Sequence, residues 1–163
     1  MNWRIGIITA SDKCSKGFRK DESAQVVIAL IKDKLQADIA DYRIVPDEMD
    51  EIAQSLIEFS DEKYMDLIIT TGGTGLSPRD VTPEATMQVI DRQVPGFAEA
   101  MRSASMQKTK RAMLSRAVCG IRGSTLIVNL PGSPKGAEEN LPAIIDQFPH
   151  ALQILTGKGS DHE

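Results

Sequence analysis

Two aspartates and a glycine loop are the residues of this chain whose types and spacing could do chemistry. Gly72-Gly73-Thr74-Gly75 carries three glycines in four residues, and Arg79, Asp80 and Thr82-Pro83-Glu84 follow it closely. Glycines at a strand end let backbone N–H groups approach an anion with no Cβ in the way. Thr82, Pro83 and Glu84 spell a helix start: a threonine N-cap, a proline at the first helical position and an early acid. Strand, glycine loop and helix N-terminus in that order form the layout of a phosphate site. The expected chemistry is positioning and charge neutralisation around a phosphate, as phosphoryl-type transfer requires. The same residues also suit a tight structural turn. The loop is neither a P-loop, having no GxxxxGK[ST], nor a dinucleotide fingerprint, lacking the third glycine.

Asp47, after Pro46, and Asp80 together suit Mg²⁺, a hard cation that takes one or two carboxylates and completes its shell with water and substrate phosphate. Each is also an ordinary turn former. Arg79 adds a charged hydrogen-bonding group. Ser11-Asp12 follows the first strand, and Gly132-Ser133-Pro134-Lys135 follows a late one, with Ser133 read as N-cap and Pro134 as the first helical residue. Lys135 reads as a phosphate ligand or as a solvated first-turn lysine. The two histidines, His150 and His162, fall near the C-terminus, which argues against a histidine-centred triad. Cys14 has no evident base beside it.

The elements that must position these residues follow from hydrophobic period. Strands are expected over residues 4–10, 37–45 and 65–71. Asp21 should cap a helix whose face is Ala24, Val27, Ile28, Ile31 and Leu35, and Asp50 a helix carrying Ile52, Ala53, Leu56 and Ile57. Residues 13–20 read as a loop. Helices are expected over 83–90 and from Phe97 onward, with Pro95-Gly96 between them and a basic loop at 107–112. The apolar runs 113–121 and 124–130, around Arg122-Gly123, read as a strand, a tight turn and a strand, one of them antiparallel. Pro142 and Pro149 should divide the closing segment into short helices ending near Leu155. Strands alternating with helices give an α/β fold, a three-layer α/β/α sandwich with a mostly parallel sheet and a short antiparallel strand. In such a sheet the groups following each strand share one rim at the C-terminal edge.

At 163 residues the chain is read as a single α/β domain over residues 1–156, with a flexible tail at 157–163. No run reaches the about eighteen apolar residues of a membrane span. The N-terminus enters a strand pattern rather than a signal peptide, and the two cysteines lack CxxC spacing, so a cytoplasmic location is expected. The net charge of −4 hides a split: residues 100–137 hold seven Lys/Arg and no acid, leaving 12 basic against 23 acidic residues elsewhere. That segment faces either a polyanion or a subunit partner, or is simply a solvated basic face. Nucleic acid is disfavoured by the overall acidity and the scarcity of aromatics.

Thr70-Thr71-Gly72-Gly73-Thr74-Gly75 and Arg79-Asp80-Val81-Thr82-Pro83-Glu84-Ala85-Thr86 also resemble the signature of the molybdenum-cofactor biosynthesis family. That family includes bacterial molybdopterin adenylyltransferases and the corresponding domains of gephyrin and the plant insertion protein. Pro95-Gly96-Phe97, Leu114-Ser115-Arg116, Asn129-Leu130-Pro131-Gly132-Ser133-Pro134, Ser11-Asp12 and Pro46-Asp47-Glu48 are similar too, so the likeness runs from about residue 4 to 155. The resemblance implies transfer of AMP from Mg-ATP to molybdopterin, giving adenylyl-molybdopterin and pyrophosphate. It further implies a homotrimer and hand-over of product to a molybdenum-insertion protein. Asp47 and Asp80 match the catalytic and metal-binding acids. Gly72, Gly73, Thr74, Gly75, Arg79 and Thr82 match the nucleotide and phosphate cradle. Ser11, Asp12, Ser115, Gly132, Ser133, Pro134 and Lys135 match the molybdopterin pocket. The alternative within the family is a non-catalytic molybdopterin-binding or carrier protein.

Overall fold

Ile5-Gly6-Ile7-Ile8-Thr9-Ala10 is buried at every position, as a parallel strand covered on both faces must be. In the computed structural model, which describes residues 2–158, it is strand β1 (Ile5–Ala10). Then come α1 (Asp12–Ser15), α2 (Glu22–Leu35), β2 (Ile39–Val45), α3 (Met49–Ile57) and β3 (Leu67–Thr71). The second half holds α4 (Thr82–Val89), β4 (Arg92–Gln93), α5 (Pro95–Met106), β5 (Cys119–Arg122), β6 (Thr125–Leu130), α6 (Pro134–Asn140) and α7 (Phe148–Thr156).

Among the described residues six strands lie in the order β2-β1-β3-β6-β5-β4. The first four are parallel; β5 runs antiparallel to β6, and β4 antiparallel to β5. Alternate residues feed opposite faces of the sheet. Ile5 and Ile7, with Leu67, Ile69 and Val128, pack on Val27 and Ile31 of α2 and on Met101, Leu141 and Phe148. Ile8 and Ala10, with Ile68 and Ile127, pack on Ile52 and Leu56 of α3, on Phe59 and on Ala85 and Val89 of α4. Helices therefore cover both faces, and the sequence reading of the fold class holds.

Several local expectations do not. The expected loop 13–20 opens with α1, because the Ser11 hydroxyl accepts from Cys14 N at 3.1 Å and nucleates a turn. Asp50 is not the cap of α3. Glu48 N bonds Pro46 O at 2.8 Å, so the chain turns early, Glu48 takes the N-cap position and Asp50 lies inside the first turn. Thr82 is not the cap of α4 either. Its own N–H donates to Gly73 O at 3.1 Å, which draws it into the helix and leaves Val81 at the cap. Residues 113–118 are not strand: Lys110–Leu114 is a short 3₁₀ turn, and β5 starts only at Cys119. The expected tail keeps Gly157 as a left-handed C-cap, and residues 159–163 lie outside the described residues.

Candidate functional site

The chain goes from β1 outward to β2, then returns across β1 to β3. That reversal opens a crevice between β1 and β3 at their C-terminal ends, where open α/β sheets take their ligands. A cavity of about 410 Å³ lies there. Its floor is Thr9, Ala10 and Thr71, and its walls include Ser11, Asp47, Asp80 and the backbone of Gly72-Gly73 and Gly132-Ser133-Pro134. Three of the four strand-end segments expected on one rim thus meet around one space, and the fourth enters it through Asp47.

Glycine is required at the turn itself. Gly72 has φ +90° and Gly73 φ +70°, both in the left-handed region. A Cβ on Gly72 would collide with Ala10 O, and one on Gly73 with the Thr82 hydroxyl. A Cβ on Gly132 would sit 2.9 Å from Gly72 Cα, so the two loops pass almost backbone to backbone. Thr82 Oγ1 is wholly buried without a hydrogen-bond partner, and it borders the same gap beside Gly73 as Asp47 Oδ1.

The carboxylates are cross-braced. Asp12 N donates to Asp47 Oδ2 at 2.9 Å and Asp47 N to Asp12 Oδ1 at 3.0 Å. Arg79 then closes on Asp12 with Nε to Oδ2 at 2.7 Å and Nη2 to Oδ1 at 3.1 Å, and reaches Glu48 Oε1 at 2.7 Å. The Arg79 bonds, then the Asp47 amide, hold the Asp12 carboxyl below its ordinary range. Asp47 goes the other way: burial raises it first, and the nearby Asp12 and Asp80 charges add to that against the Asp12 amide and Arg79. Asp80 Oδ2 accepts from Ser77 N at 3.0 Å and folds the 77–80 turn back on itself.

A second cavity, about 380 Å³, lies across the glycine loop. Thr74, Gly75, Ser115, Ser133 and Lys135 line it, with Arg111 and Leu114. Ser133 borders both cavities, and its hydroxyl caps α6 by accepting from Gly136 N at 2.9 Å. The sequence-derived residues are therefore divided. Ser11, Asp47, Gly72, Gly73, Asp80, Gly132, Ser133 and Pro134 meet in the first cavity; Thr74, Gly75, Ser115 and Lys135 meet in the second. Asp12, Arg79 and Thr82 line neither.

Arg116 is the residue that sequence reasoning passed over. Its N–H donates to Thr74 O at 2.9 Å, Nε to Gly75 O at 2.8 Å and Nη2 to Asp80 O at 2.6 Å, while Nη1 pairs with Glu84. One guanidinium thus fixes both ends of the 75–80 loop and the first turn of α4. The Leu114-Ser115-Arg116 triplet was the available signal. Arg102 is spent similarly on Ser115 O and Ala117 O, and Arg122 on Asp61 and Val89 O. Three of the seven bases of residues 100–137 are internal clasps, while Lys108, Lys110, Arg111 and Lys135 stay exposed.

A family model described as "Probable molybdopterin binding domain" matches residues 6–150. The chain belongs to this molybdopterin-binding family. Among relatives, the molybdopterin adenylyltransferase of Helicobacter pylori (strain J99) is 43% identical over 94% of this chain and 88% of its own length. Gephyrin of Dictyostelium discoideum is 41% identical over 96% of this chain, which spans only 23% of gephyrin's length. The crystal structure of the molybdopterin biosynthesis enzyme MoaB from Thermus thermophilus has the same fold, with a TM-score of 0.91 at 48% identity over 98% of this chain and 99% of that one.

Proposed function

We propose that this protein is a molybdopterin adenylyltransferase acting in molybdenum-cofactor biosynthesis. A phosphate oxygen of molybdopterin attacks the α-phosphorus of ATP, the bond from that phosphorus to the bridging oxygen breaks, and pyrophosphate leaves. The observation that carries this reading is the crevice between β1 and β3. Two carboxylates there share one cavity with the glycine turn, in a chain closely related to a named adenylyltransferase. Such a reaction needs little covalent help from the protein; it needs alignment and neutralised charge.

Among the described residues no three His, Cys, Asp or Glu side chains gather as a resident metal site. Asp47 and Asp80 lie in each other's field and in one cavity, which fits a cation brought in with phosphates. Those two residues would hold Mg²⁺, whose contribution is charge neutralisation on the phosphate chain. Asp12 and Arg79 brace Asp47 rather than touch substrate. Gly72, its N–H held by Leu130 O at 3.1 Å, and Gly73 shape the turn that takes the phosphates, and Ser133, bordering both cavities, separates the nucleotide from the pterin in the second one. In this reading residues 1–156 act as one unit, three copies assemble in the cytoplasm, and the product passes to a molybdenum-insertion protein.

The test is incubation of the purified protein with molybdopterin, ATP and Mg²⁺, following adenylyl-molybdopterin and pyrophosphate. Asp80→Ala and Asp47→Ala should each lower turnover by about 100-fold or more. Molybdopterin that binds tightly while no product forms would instead make the protein the carrier. Sedimentation at three times the chain mass checks the assembly.

A further inference from the structure

We infer that Arg19 and Lys20, on the loop between α1 and α2, grip the phosphate chain of the nucleotide in the cavity that the glycine turn also lines. The inference rests on the adenylyl-transfer reading and names a part of that site which the glycine signature does not reach. Arg19 and Lys20 are the two basic residues lining the first cavity, against Asp21, Glu22, Asp47 and Asp80. A polyphosphate entering a space walled by four carboxylates needs fixed cations, and the arginine nearest the glycine signature does not supply one. Arg79 is forked between Asp12 and Glu48 and lines no part of the cavity. Drawing it inward would break both ion pairs and unbrace Asp12, on which the Asp47 backbone depends.

Arg19 and Lys20 have the opposite character. Both are exposed, and their side chains make no hydrogen bond or ion pair among the described residues. Their acidic neighbour Asp21 is already engaged: Oδ1 accepts from Ser23 Oγ and Ala24 N, each at 3.2 Å, and Oδ2 from the Tyr42 hydroxyl. That anchoring fixes one end of the loop at the cavity. The other end is fixed by the turn at Gly17, φ +78°, where Phe18 N donates to Lys13 O at 2.9 Å. Two unspent cations therefore line the same cavity as two carboxylates suited to the cation a polyphosphate carries.

The test titrates inorganic pyrophosphate with Mg²⁺ into the wild type and into the double variant Arg19→Gln/Lys20→Gln, and measures KM for ATP and for molybdopterin. The expected result is pyrophosphate binding weakened by about tenfold or more and KM for ATP raised to match, the size of a lost charge-assisted contact. KM for molybdopterin should move less than about threefold, and the log–log salt dependence of pyrophosphate binding should flatten in the variant. Lys32→Gln/Lys34→Gln, which removes the same charge from the far end of α2, controls for net charge. The inference is overturned if the wild type binds no pyrophosphate, if the double variant binds it equally well, or if the rise falls on molybdopterin instead. A wild type that binds pyrophosphate yet makes no product would sink adenylyl transfer alone, since the pyrophosphate arm still decides the role of the loop.

Discussion

Asp12, Asp47 and Arg79 act as one electrostatic unit. Arg79 lowers the carboxyl pKa of Asp12 directly and opposes the rise at Asp47. Its removal therefore lifts both carboxylates. On the proposed role of Asp47 as a cation ligand, which requires its ionised form, Arg79→Gln should shift the acid limb of kcat/KM to higher pH, read from a pH–rate profile. A phosphate-binding Arg79 would instead raise KM for ATP and leave the limb in place. Arg116 is a second positioning residue. Arg116→Lys keeps the charge but loses the planar fork that spans Gly75 O, Asp80 O and Glu84. It should lower kcat by about tenfold and cost about 1–3 kcal/mol in urea unfolding. A variant with wild-type kcat would reduce Arg116 to a surface pair.

At the scale of elements, the site depends on two strand-to-helix turns that nearly touch. The turn from β3 to α4 needs positive φ at Gly72 and Gly73, while the turn from β6 to α6 needs the Ser133 cap. Gly73→Ala places a Cβ against the Thr82 hydroxyl in a conformation that L residues avoid, and should cost about 1–3 kcal/mol together with most activity. Ser133→Ala leaves the turn but frees the Gly136 N–H in the first turn of α6, and should cost about 1 kcal/mol by thermal unfolding. The glycine turn was legible because three glycines after an apolar run have few other uses. The start of α4 was misread by one residue: Thr82-Pro83-Glu84 has the composition of a cap, but the bond from Thr82 N to Gly73 O pulls the threonine into the helix. No propensity rule sees a carbonyl supplied from across a loop.

Across the whole molecule, ion pairs join elements distant in sequence: Arg43 with Glu58, Lys63 with Asp41, Arg79 with Asp12, Arg116 with Glu84 and Arg122 with Asp61. The five carboxyls in these pairs are all held below their ordinary values, chiefly by the paired base. Their contribution to stability is complete above the unfolded carboxyl range and is lost as pH falls through the lowered folded values. The melting temperature should thus stay level from pH 7 to about 5 and fall below about 4. The loss should be modest, because the pairs are partly exposed and screened by salt. Asp47 has the opposite sign: raised in the fold, its ionisation works against stability above its folded pKa. Asp47→Asn should raise Tm at pH 7, with the gain shrinking in acid, while activity is lost. A fall in Tm at pH 7 would show that the carboxylate braces the crevice more than burial and repulsion strain it.

The sequence by itself determined the alternation of strands and helices, the parallel centre with an antiparallel end, and the residues that follow each strand. These are local or periodic facts, set by side-chain period and turn chemistry within a few residues of each position. Only the tertiary structure decided which of those residues share a space. Strand order put Ser11, Gly72 and Gly132 around one crevice and sent Ser115 and Lys135 to a neighbouring cavity. It also decided which charges are spent. Arg79 stands beside the glycine signature in sequence, yet pairs with Asp12, 67 residues away. Arg19 and Lys20 carry no motif, yet line the crevice. A charge's partner depends on distance in space, and chain separation along a sequence carries almost none of that information.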